Sequence, residues 1–186
     1  MSPLRDISNS LNEPVPGEKR KHNKSGKDTV NVSTWTDDEY NTYEKVYERT
    51  PKIKFQAEGR GYCSQCELIA TQDGTPLKDG RLTYKSKKVC HGYQLVARKK
   101  FGVSRMQQIA SSKRQEDITI SHLCGTRNCC NPRHLVLESK ATNDARTVCH
   151  KGLDNYFSVS KKCAPQDDIE KRCPHKPLCG SDDNAM

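Results

Sequence analysis

The chain has 186 residues, the length of a single domain of ordinary size. It carries 32 Lys and Arg against 23 Asp and Glu, a formal net charge of +9, while only 32% of its residues are hydrophobic. With 10 Cys, 6 His and no long apolar window, this composition disfavours a membrane protein and an enzyme built on a large hydrophobic core. The N-terminus has no apolar stretch typical of a signal peptide, so we expect a reducing compartment, where cysteines more often bind metal than form disulfides. The sequence therefore predicts a basic, metal-stabilised intracellular protein whose natural partner is nucleic acid.

Residues 1–32 are polar and are predicted to form a disordered basic tail. The positive charge of this tail is concentrated in Lys19-Arg20-Lys21 and in Lys24 and Lys27. Such a run is typical of a nuclear localisation signal or of an arm that contacts phosphates, and a merely solvated tail explains it equally well. From this run we expect a nuclear protein.

Residues 33–58 predict an N-terminal helix followed by a linker. Thr36 and Glu39 have the spacing of a capping box, so we expect the helix to begin there, to reach about Arg49 and to be stopped by Pro51. Aromatic residues recur along one side of this helix, which indicates packing rather than chemistry.

The largest predicted unit covers residues 59–180, with a short tail at 181–186. The alternation of apolar and polar residues in 81–85 predicts a strand with Leu82 on its apolar face. A helix is expected over about 89–101, where a glycine follows, and a second short helix comes directly after it.

Positive charge is strongest between Lys78 and Arg114, where the sequence has eleven basic residues and one acidic residue. A charge run usually marks a solvated face, but this one coincides with the amphipathic strand, which favours contact with DNA or RNA. The residues on the charged side of the strand and its extension are Arg81, Thr83, Lys85, Lys87 and Lys88.

The segment from Ile118 to Cys149 is predicted to contain two short strands, over residues 118–120 and 136–138, and then a helix. Ser139 is the expected cap of this helix, which ends at Cys149. The residues after Cys149 have a loop-like composition.

Two groups of Cys and His have the composition of zinc sites, which bind four thiolate or imidazole ligands. The first is Cys124-x4-Cys129-x4-His134, for which either Cys63 or Cys66 could supply the fourth ligand. The second is Cys173-x-His175-x3-Cys179, with Cys149 as the expected fourth ligand. Two structural zinc ions would compensate for the small hydrophobic core.

Residues 122–149 resemble the His-Cys box of homing endonucleases, which belong to the His-Me finger (ββα-metal) nuclease superfamily. The matching residues are His122-Leu123-Cys124, Cys129, Asn131-Pro132, His134-Leu135, Glu138-Ser139, Asn143-x2-Arg146 and Cys149. The C-terminal Cys173-x-His175-x3-Cys179 is similar to the second zinc loop of the family, and Arg81-x2-Tyr84-Lys85 is similar to its DNA-facing strand. The resemblance implies a small α+β, zinc-stabilised ββα-metal fold with an antiparallel DNA-binding sheet.

The resemblance also implies how the cysteines are used. The first zinc would be bound by Cys66, Cys124, Cys129 and His134, and the second by Cys149, Cys173, His175 and Cys179. Four cysteines then have no expected role as ligands, namely Cys63, Cys90, Cys130 and Cys163.

For catalysis, the resemblance implies that His122 is the general base, that Asn143 binds a catalytic Mg²⁺ and that Arg81 contacts the scissile phosphate. Arg146 would also contact DNA. The chemistry suits these roles, because a neutral imidazole accepts a proton from water at cellular pH and a divalent ion stabilises charge on a phosphate.

We therefore expect a homing-type endonuclease that hydrolyses phosphodiester bonds in double-stranded DNA, with two structural Zn²⁺ and one catalytic Mg²⁺. A homodimer is compatible with this family, but only seven residues follow Cys179, so the sequence does not indicate how a dimer would form. The alternatives are a zinc-dependent DNA-binding regulator derived from such a nuclease and a nuclease of low specificity. The His122-x-Cys124 pattern also allows His122 to be a further zinc ligand.

Overall fold

The computed structural model describes residues 35–55, 65–77, 79–83, 89–109, 114–160 and 166–179. The predicted basic tail and Lys85, Lys87 and Lys88 lie outside these residues. In the described part, the chain forms a small α+β fold with three two-stranded antiparallel sheets. No helix in this part is both long and apolar enough to cross a membrane.

The elements alternate between short strands and helices. In chain order they are α1 (Asp37–Arg49), β1 (Lys52–Phe55), β2 (Cys66–Ile69), β3 (Arg81–Thr83), β4 (Val89–His91), α2 (Gly92–Phe101), α3 (Val103–Met106), β5 (Ile118–His122), a 3-10 helix (Pro132–His134), β6 (Leu135–Ser139), α4 (Lys140–Ser160) and α5 (Gln166–Arg172).

The capping box predicted at the start of α1 is confirmed. The backbone N–H of Glu39 donates to Thr36 Oγ1 at 3.2 Å, and the backbone N–H of Thr36 donates to Glu39 Oε2 at 3.1 Å. These two bonds satisfy amide donors that have no partner inside the helix. The helix ends at Arg49, as predicted, two residues before Pro51.

Helix α1 contributes to the main hydrophobic core. The rings of Trp35 and Tyr43 stack with centroids 4.8 Å apart, and both residues pack in one buried cluster with Leu95 and Met106. The segment predicted as a linker contains β1, which pairs along its whole length with β2. The N-terminal helix and strand thus position β2, whose first residue is Cys66.

Strands β3 and β4 form a hairpin in which Leu82 is buried and Arg81 is exposed, as the alternation predicted. The prediction that a helix begins near Val89 is wrong. Residues 89–91 pair with β3, which buries Val89 and Cys90, and α2 begins only at Gly92. A three-residue strand that enters a helix directly leaves too little periodicity to separate the two elements.

The three basic residues at the end of α2 contact protein groups and do not form a free basic face. Arg98 is only 5% exposed, and its guanidinium donates to Asp37 Oδ1 at 2.7 Å and to the Trp35 carbonyl at 3.2 Å. Lys99 pairs with a glutamate of α1, and Lys100 donates to two carbonyls in and beside the 3-10 helix. These three charges therefore bind protein groups, and the predicted DNA-contacting surface is smaller than the basic run.

Strands β5 and β6 pair from Ile118↔Ser139 to His122↔Leu135 and lead directly into α4. Ser139 caps α4 as predicted, because its Oγ accepts the backbone N–H of Thr142 at 3.2 Å. The predicted end of this helix at Cys149 is wrong, since α4 continues to Ser160.

The extension of α4 is stabilised by packing that the loop-like composition concealed. Leu153 on α4 and Ile169 on α5 are each 2% exposed and lie in the same buried cluster. Helix α5 lies where a loop was predicted. Each of the two helices contributes one apolar side chain to this second buried cluster, and most of its other members are cysteines.

We predict that Arg98→Met lowers the free energy of unfolding by about 1–3 kcal/mol, because it leaves a buried carbonyl without its charged donor. Chemical denaturation monitored by circular dichroism measures this change. Lys99→Met is the matched control, since its side chain is 72% exposed and its ion pair contributes less than about 1 kcal/mol. Equal stability of the two variants would contradict an interior role for Arg98.

Candidate metal centres and active-site cleft

Four residues from three separate parts of the fold form the first cluster of metal-ligating side chains. Cys66 begins β2, Cys124 and Cys129 lie in the loop after β5, and His134 ends the 3-10 helix. Their ligand atoms all lie within 4.8 Å of one another, and all four residues are buried. The structure thus brings Cys66 into the set, whereas Cys63 lies outside the described residues.

The geometry of this first cluster fits a tetrahedral ion. Nδ1 of His134 lies 3.3 Å from Cys129 Sγ and 3.9 Å from Cys66 Sγ. These distances are close to the roughly 3.5 Å that separates a ligating nitrogen and sulfur in a tetrahedral zinc site. The backbone N–H of Asn131 donates to Cys129 Sγ at 3.4 Å, which helps to fix the position of this sulfur. The side chain of Asn131 also lies 3.5 Å from Nε2 of His134 and orients that ring.

The second cluster joins α4 to the C-terminal loop through Cys149, Cys173, His175 and Cys179. Nδ1 of His175 lies 3.5 Å from Cys173 Sγ and 3.6 Å from Cys179 Sγ. The backbone N–H of Cys179 donates to Cys173 Sγ at 3.2 Å. Both clusters therefore offer three thiolates and one imidazole in an arrangement that suits structural zinc.

Two further cysteines are part of the main core. Cys90 and Cys130 are 0% and 1% exposed and belong to the buried cluster of α1, β3 and α2. Burial raises the pKa of Cys130 to about 12 and also raises the pKa of Cys90, so both remain protonated thiols. They act as small apolar side chains, which distinguishes them from the clustered cysteines. Cys163 lies outside the described residues.

A cleft of about 530 Å³ opens beside the first cluster, between the end of β5, the loop after it and α4. His122 and Asn143 both line it, so the structure brings together the predicted general base and the predicted Mg²⁺ ligand. Other residues in its wall are Tyr93, Arg127, His150 and Lys151.

The imidazole of His122 is held with one nitrogen unused. Burial lowers the pKa of His122 to about 4, and a hydrogen bond to the backbone carbonyl of Cys129 partly opposes this effect. Nε2 is buried and has no hydrogen-bond partner among the described residues. The rings of His122 and Tyr93 pack in a T-shaped contact, with centroids 4.8 Å apart at an interplanar angle of 72°. With its lowered pKa the ring is neutral at cellular pH, so one of its two nitrogens can accept a proton.

Asn143 is positioned by the strand that carries His122. Its Oδ1 accepts a hydrogen bond from Ser121 Oγ at 3.0 Å, and Ser121 is 1% exposed. An amide oxygen has two lone pairs, so one remains for a cation.

A family model for the zinc-binding loop region of homing endonucleases matches residues 43–185, which include both clusters and the cleft. The chain belongs to this family. No curated protein and no solved structure matches the chain. The family match and the two clusters confirm the predicted small zinc-stabilised His-Me fold and support a nuclease-type function.

In this family member Arg81 lies at the edge of the site rather than in the cleft wall. Its side chain is 48% exposed, its Nε lies 3.8 Å from Asp79 Oδ2, and its register partner is His91. The ring of His91 stacks on Tyr93 with centroids 5.5 Å apart, and Tyr93 in turn contacts His122. The hairpin with Arg81 is therefore connected to His122 through two aromatic contacts.

The structure corrects the prediction that Arg146 contacts DNA. Arg146 is 1% exposed, and its Nε lies 2.8 and 2.9 Å from the two carboxylate oxygens of Glu138. Its Nη1 donates to the carbonyl of Pro177 at 2.7 Å and lies 3.8 Å from Cys179 Sγ. The guanidinium thus connects β6 and α4 to the second zinc loop, and its burial removes it from any phosphate.

Four further residues line the cleft without having been predicted from the sequence, namely Tyr93, Arg127, His150 and Lys151. His150 and Lys151 follow Asn143 by seven and eight residues, so helical periodicity would have placed them on one face had the full length of α4 been recognised. Tyr93 and Arg127 reach the cleft only through tertiary packing, and no local pattern indicates them.

We predict that Cys66→Ala reduces the zinc content of the purified protein from two ions to one and lowers its melting temperature strongly, since a structural zinc contributes on the order of 10 kcal/mol to folding. Plasma emission spectrometry and calorimetry measure these changes. Cys90→Ala is the matched control, because it removes a buried thiol outside the clusters and should retain both ions. Full zinc content in Cys66→Ala would exclude Cys66 as a ligand.

Arg146→Met should lower the free energy of unfolding by about 3–5 kcal/mol, because it leaves the Glu138 carboxylate, only 11% exposed, without its counter-charge. Lys140→Met removes an exposed ion pair with Asp144 on the same helix and should cost less than about 1 kcal/mol. Denaturant titration of both variants compares them. If the Arg146→Met protein were as stable as the wild type but bound DNA more weakly, the result would support the original prediction that Arg146 contacts DNA.

Proposed function

We propose that the protein is a Mg²⁺-dependent DNA endonuclease of the homing type. The observation that carries this proposal is that His122 and Asn143, the predicted base and the predicted Mg²⁺ ligand, line the same cleft. The family match supports a DNA substrate, and the two Cys₃His clusters support a protein stabilised by zinc.

His122 acts as the general base in this proposal. A water molecule that attacks a phosphodiester must lose a proton, and the neutral imidazole accepts it. The interaction with the Cys129 carbonyl helps to hold the ring in its orientation. Packing against Tyr93 restricts rotation of the ring further. His122 is not needed as a zinc ligand, because the first cluster already contains four ligands without it.

Asn143 binds the divalent ion through the lone pair of Oδ1 that Ser121 does not use. Mg²⁺ prefers oxygen ligands and retains several waters, so one amide oxygen suits it when DNA phosphate oxygens supply others. When bound, the ion would neutralise charge that develops on the phosphate and the leaving oxygen.

Arg81 contacts the DNA backbone near the scissile phosphate in this proposal, because its half-exposed guanidinium lies on the hairpin adjoining Tyr93 and His122. Thr83 of the same strand, and Lys85, Lys87 and Lys88, which follow it in the sequence, are proposed to contact the DNA backbone as well. A nuclear location, proposed from the basic run at Lys19-Arg20-Lys21, suits a protein that acts on chromosomal DNA. A homodimer would allow cleavage of both strands.

We predict that His122→Ala lowers the single-turnover rate of DNA cleavage by about 10²–10⁴-fold, the usual contribution of a general base. The assay incubates zinc-loaded protein with a randomised DNA library and Mg²⁺ and sequences the cut ends. Zinc content and DNA affinity should stay at wild-type values, because His122 contributes to neither. Asn143→Ala should abolish cleavage with the same controls.

Three outcomes would contradict the proposal in whole or in part. Undiminished cleavage by His122→Ala would exclude His122 as the base. Tight DNA binding by the wild-type protein without cleavage in Mg²⁺ or Mn²⁺ would favour a DNA-binding regulator. Cut ends without a shared sequence would indicate a nuclease of low specificity.

A further inference from the structure

We propose that Arg127 and Lys151 form a second phosphate-binding site in the cleft, which holds the DNA backbone beside the scissile phosphate. The inference rests on the proposed endonuclease function and extends the DNA contact from the hairpin into the cleft. Neither residue belongs to the predicted DNA-contacting surface.

The two cations enter the cleft from different elements. Arg127 lies in the loop between Cys124 and Cys129, so the first cluster anchors its backbone on both sides. Lys151 lies on α4, eight residues after Asn143, which is about two turns or roughly 12 Å along the helix axis. Both residues line the cleft together with His122 and Asn143.

Both side chains are available for an anion. In the described part of the chain neither forms an ion pair or a side-chain hydrogen bond, and both residues are exposed. This separates them from Arg98 and Arg146, whose guanidinium groups are buried against carboxylates and carbonyls. Cations of a basic protein that remain exposed in a cleft suit a polyanionic partner.

Arg127 shares the cleft with Tyr93, the second residue of the helix that follows the hairpin. The ring of Tyr93 stacks on His91 and contacts His122, so it connects the hairpin that carries Arg81 with the cleft. Arg81, Arg127 and Lys151 mark a path for a backbone from the hairpin across the cleft to α4.

Two carboxylates, Asp144 and Asp154, also line the cleft. Asp144 forms an ion pair with Lys140, and Asp154 also interacts within the fold, so neither is an unpartnered charge. Arg127 offers a planar fork for two phosphate oxygens, and Lys151 offers a mobile point charge. Duplex DNA is the partner that fits, since each of its strands presents a continuous row of phosphates, one about every 3.4 Å of helix axis.

Two double variants of equal charge test the proposal. Arg127→Gln/Lys151→Gln removes the site, and Lys45→Gln/Arg49→Gln removes the same charge from exposed positions on α1, away from the cleft. The full-length zinc-loaded proteins are titrated against a fluorescein-labelled random-sequence duplex, with Ca²⁺ replacing Mg²⁺, at several salt concentrations. Zinc content and circular dichroism show whether each variant is folded.

We expect the cleft variant to bind the duplex more weakly and to reduce the slope of log K against log salt by about 1.8, because two phosphate contacts are lost. The α1 variant should keep the wild-type slope. A single Lys151→Gln change should reduce the slope by about 0.9, and it avoids the loop between the zinc ligands.

An unchanged slope in the folded cleft variant, or an equal reduction in the α1 variant, would overturn the second phosphate site. The proposed endonuclease function is judged separately by His122-dependent cleavage in Mg²⁺. A protein that cleaves through His122 but shows no change of slope would therefore retain its function and lose only this inference.

Discussion

The first Cys₃His cluster is the constraint on which the rest of the structure depends, because one of its ligands also holds the candidate base. Cys129 contributes Sγ to the cluster and its backbone carbonyl to the ring of His122. The same loop carries Arg127 into the cleft. Burial of four ligand residues from three parts of the chain compensates for a core with few apolar side chains. The orientation of the imidazole is therefore as rigid as the cluster itself.

The second cluster has the corresponding effect on α4, the helix that carries Asn143. Cys149 lies on this helix, and Arg146, one turn after Asn143, connects Glu138 of β6 with the C-terminal loop. A buried arginine of this kind is costly to desolvate, so its value lies in joining elements that have little apolar surface to share. His150 adds a further connection, because its Nε2 lies 2.9 Å from the carbonyl of Leu123 in the loop beside the first cluster. The loop after β5 and helix α4, which both line the cleft, are thus held together by polar contacts and by the two metal-ligating clusters.

The net charge of +9 is divided between two uses. Arg98 and Arg146 are buried and bind carboxylates and carbonyls, and the exposed Lys100 donates to two backbone carbonyls, so these cations connect separate elements of the fold. Arg81, Arg127 and Lys151 stay exposed around the candidate site. The basic composition agrees with the DNA substrate that the family match implies, but it does not show which cations are free to bind a phosphate.

Local chemistry explains which features the sequence alone determined. The capping box at Thr36, the alternation around Leu82 and the spacing of Cys and His within each zinc loop depend on neighbours a few residues apart, so they are visible in the chain itself. The tertiary structure alone decided the end of α4, the burial of Arg146, and the approach of Tyr93 and Arg127 to His122. Each of these depends on contacts between distant segments, because Leu153 needs Ile169 to extend α4 and Arg146 needs both Glu138 and the carbonyl of Pro177. The choice of Cys66 for the first cluster has the same origin, since the pairing of β1 with β2 positions its thiol.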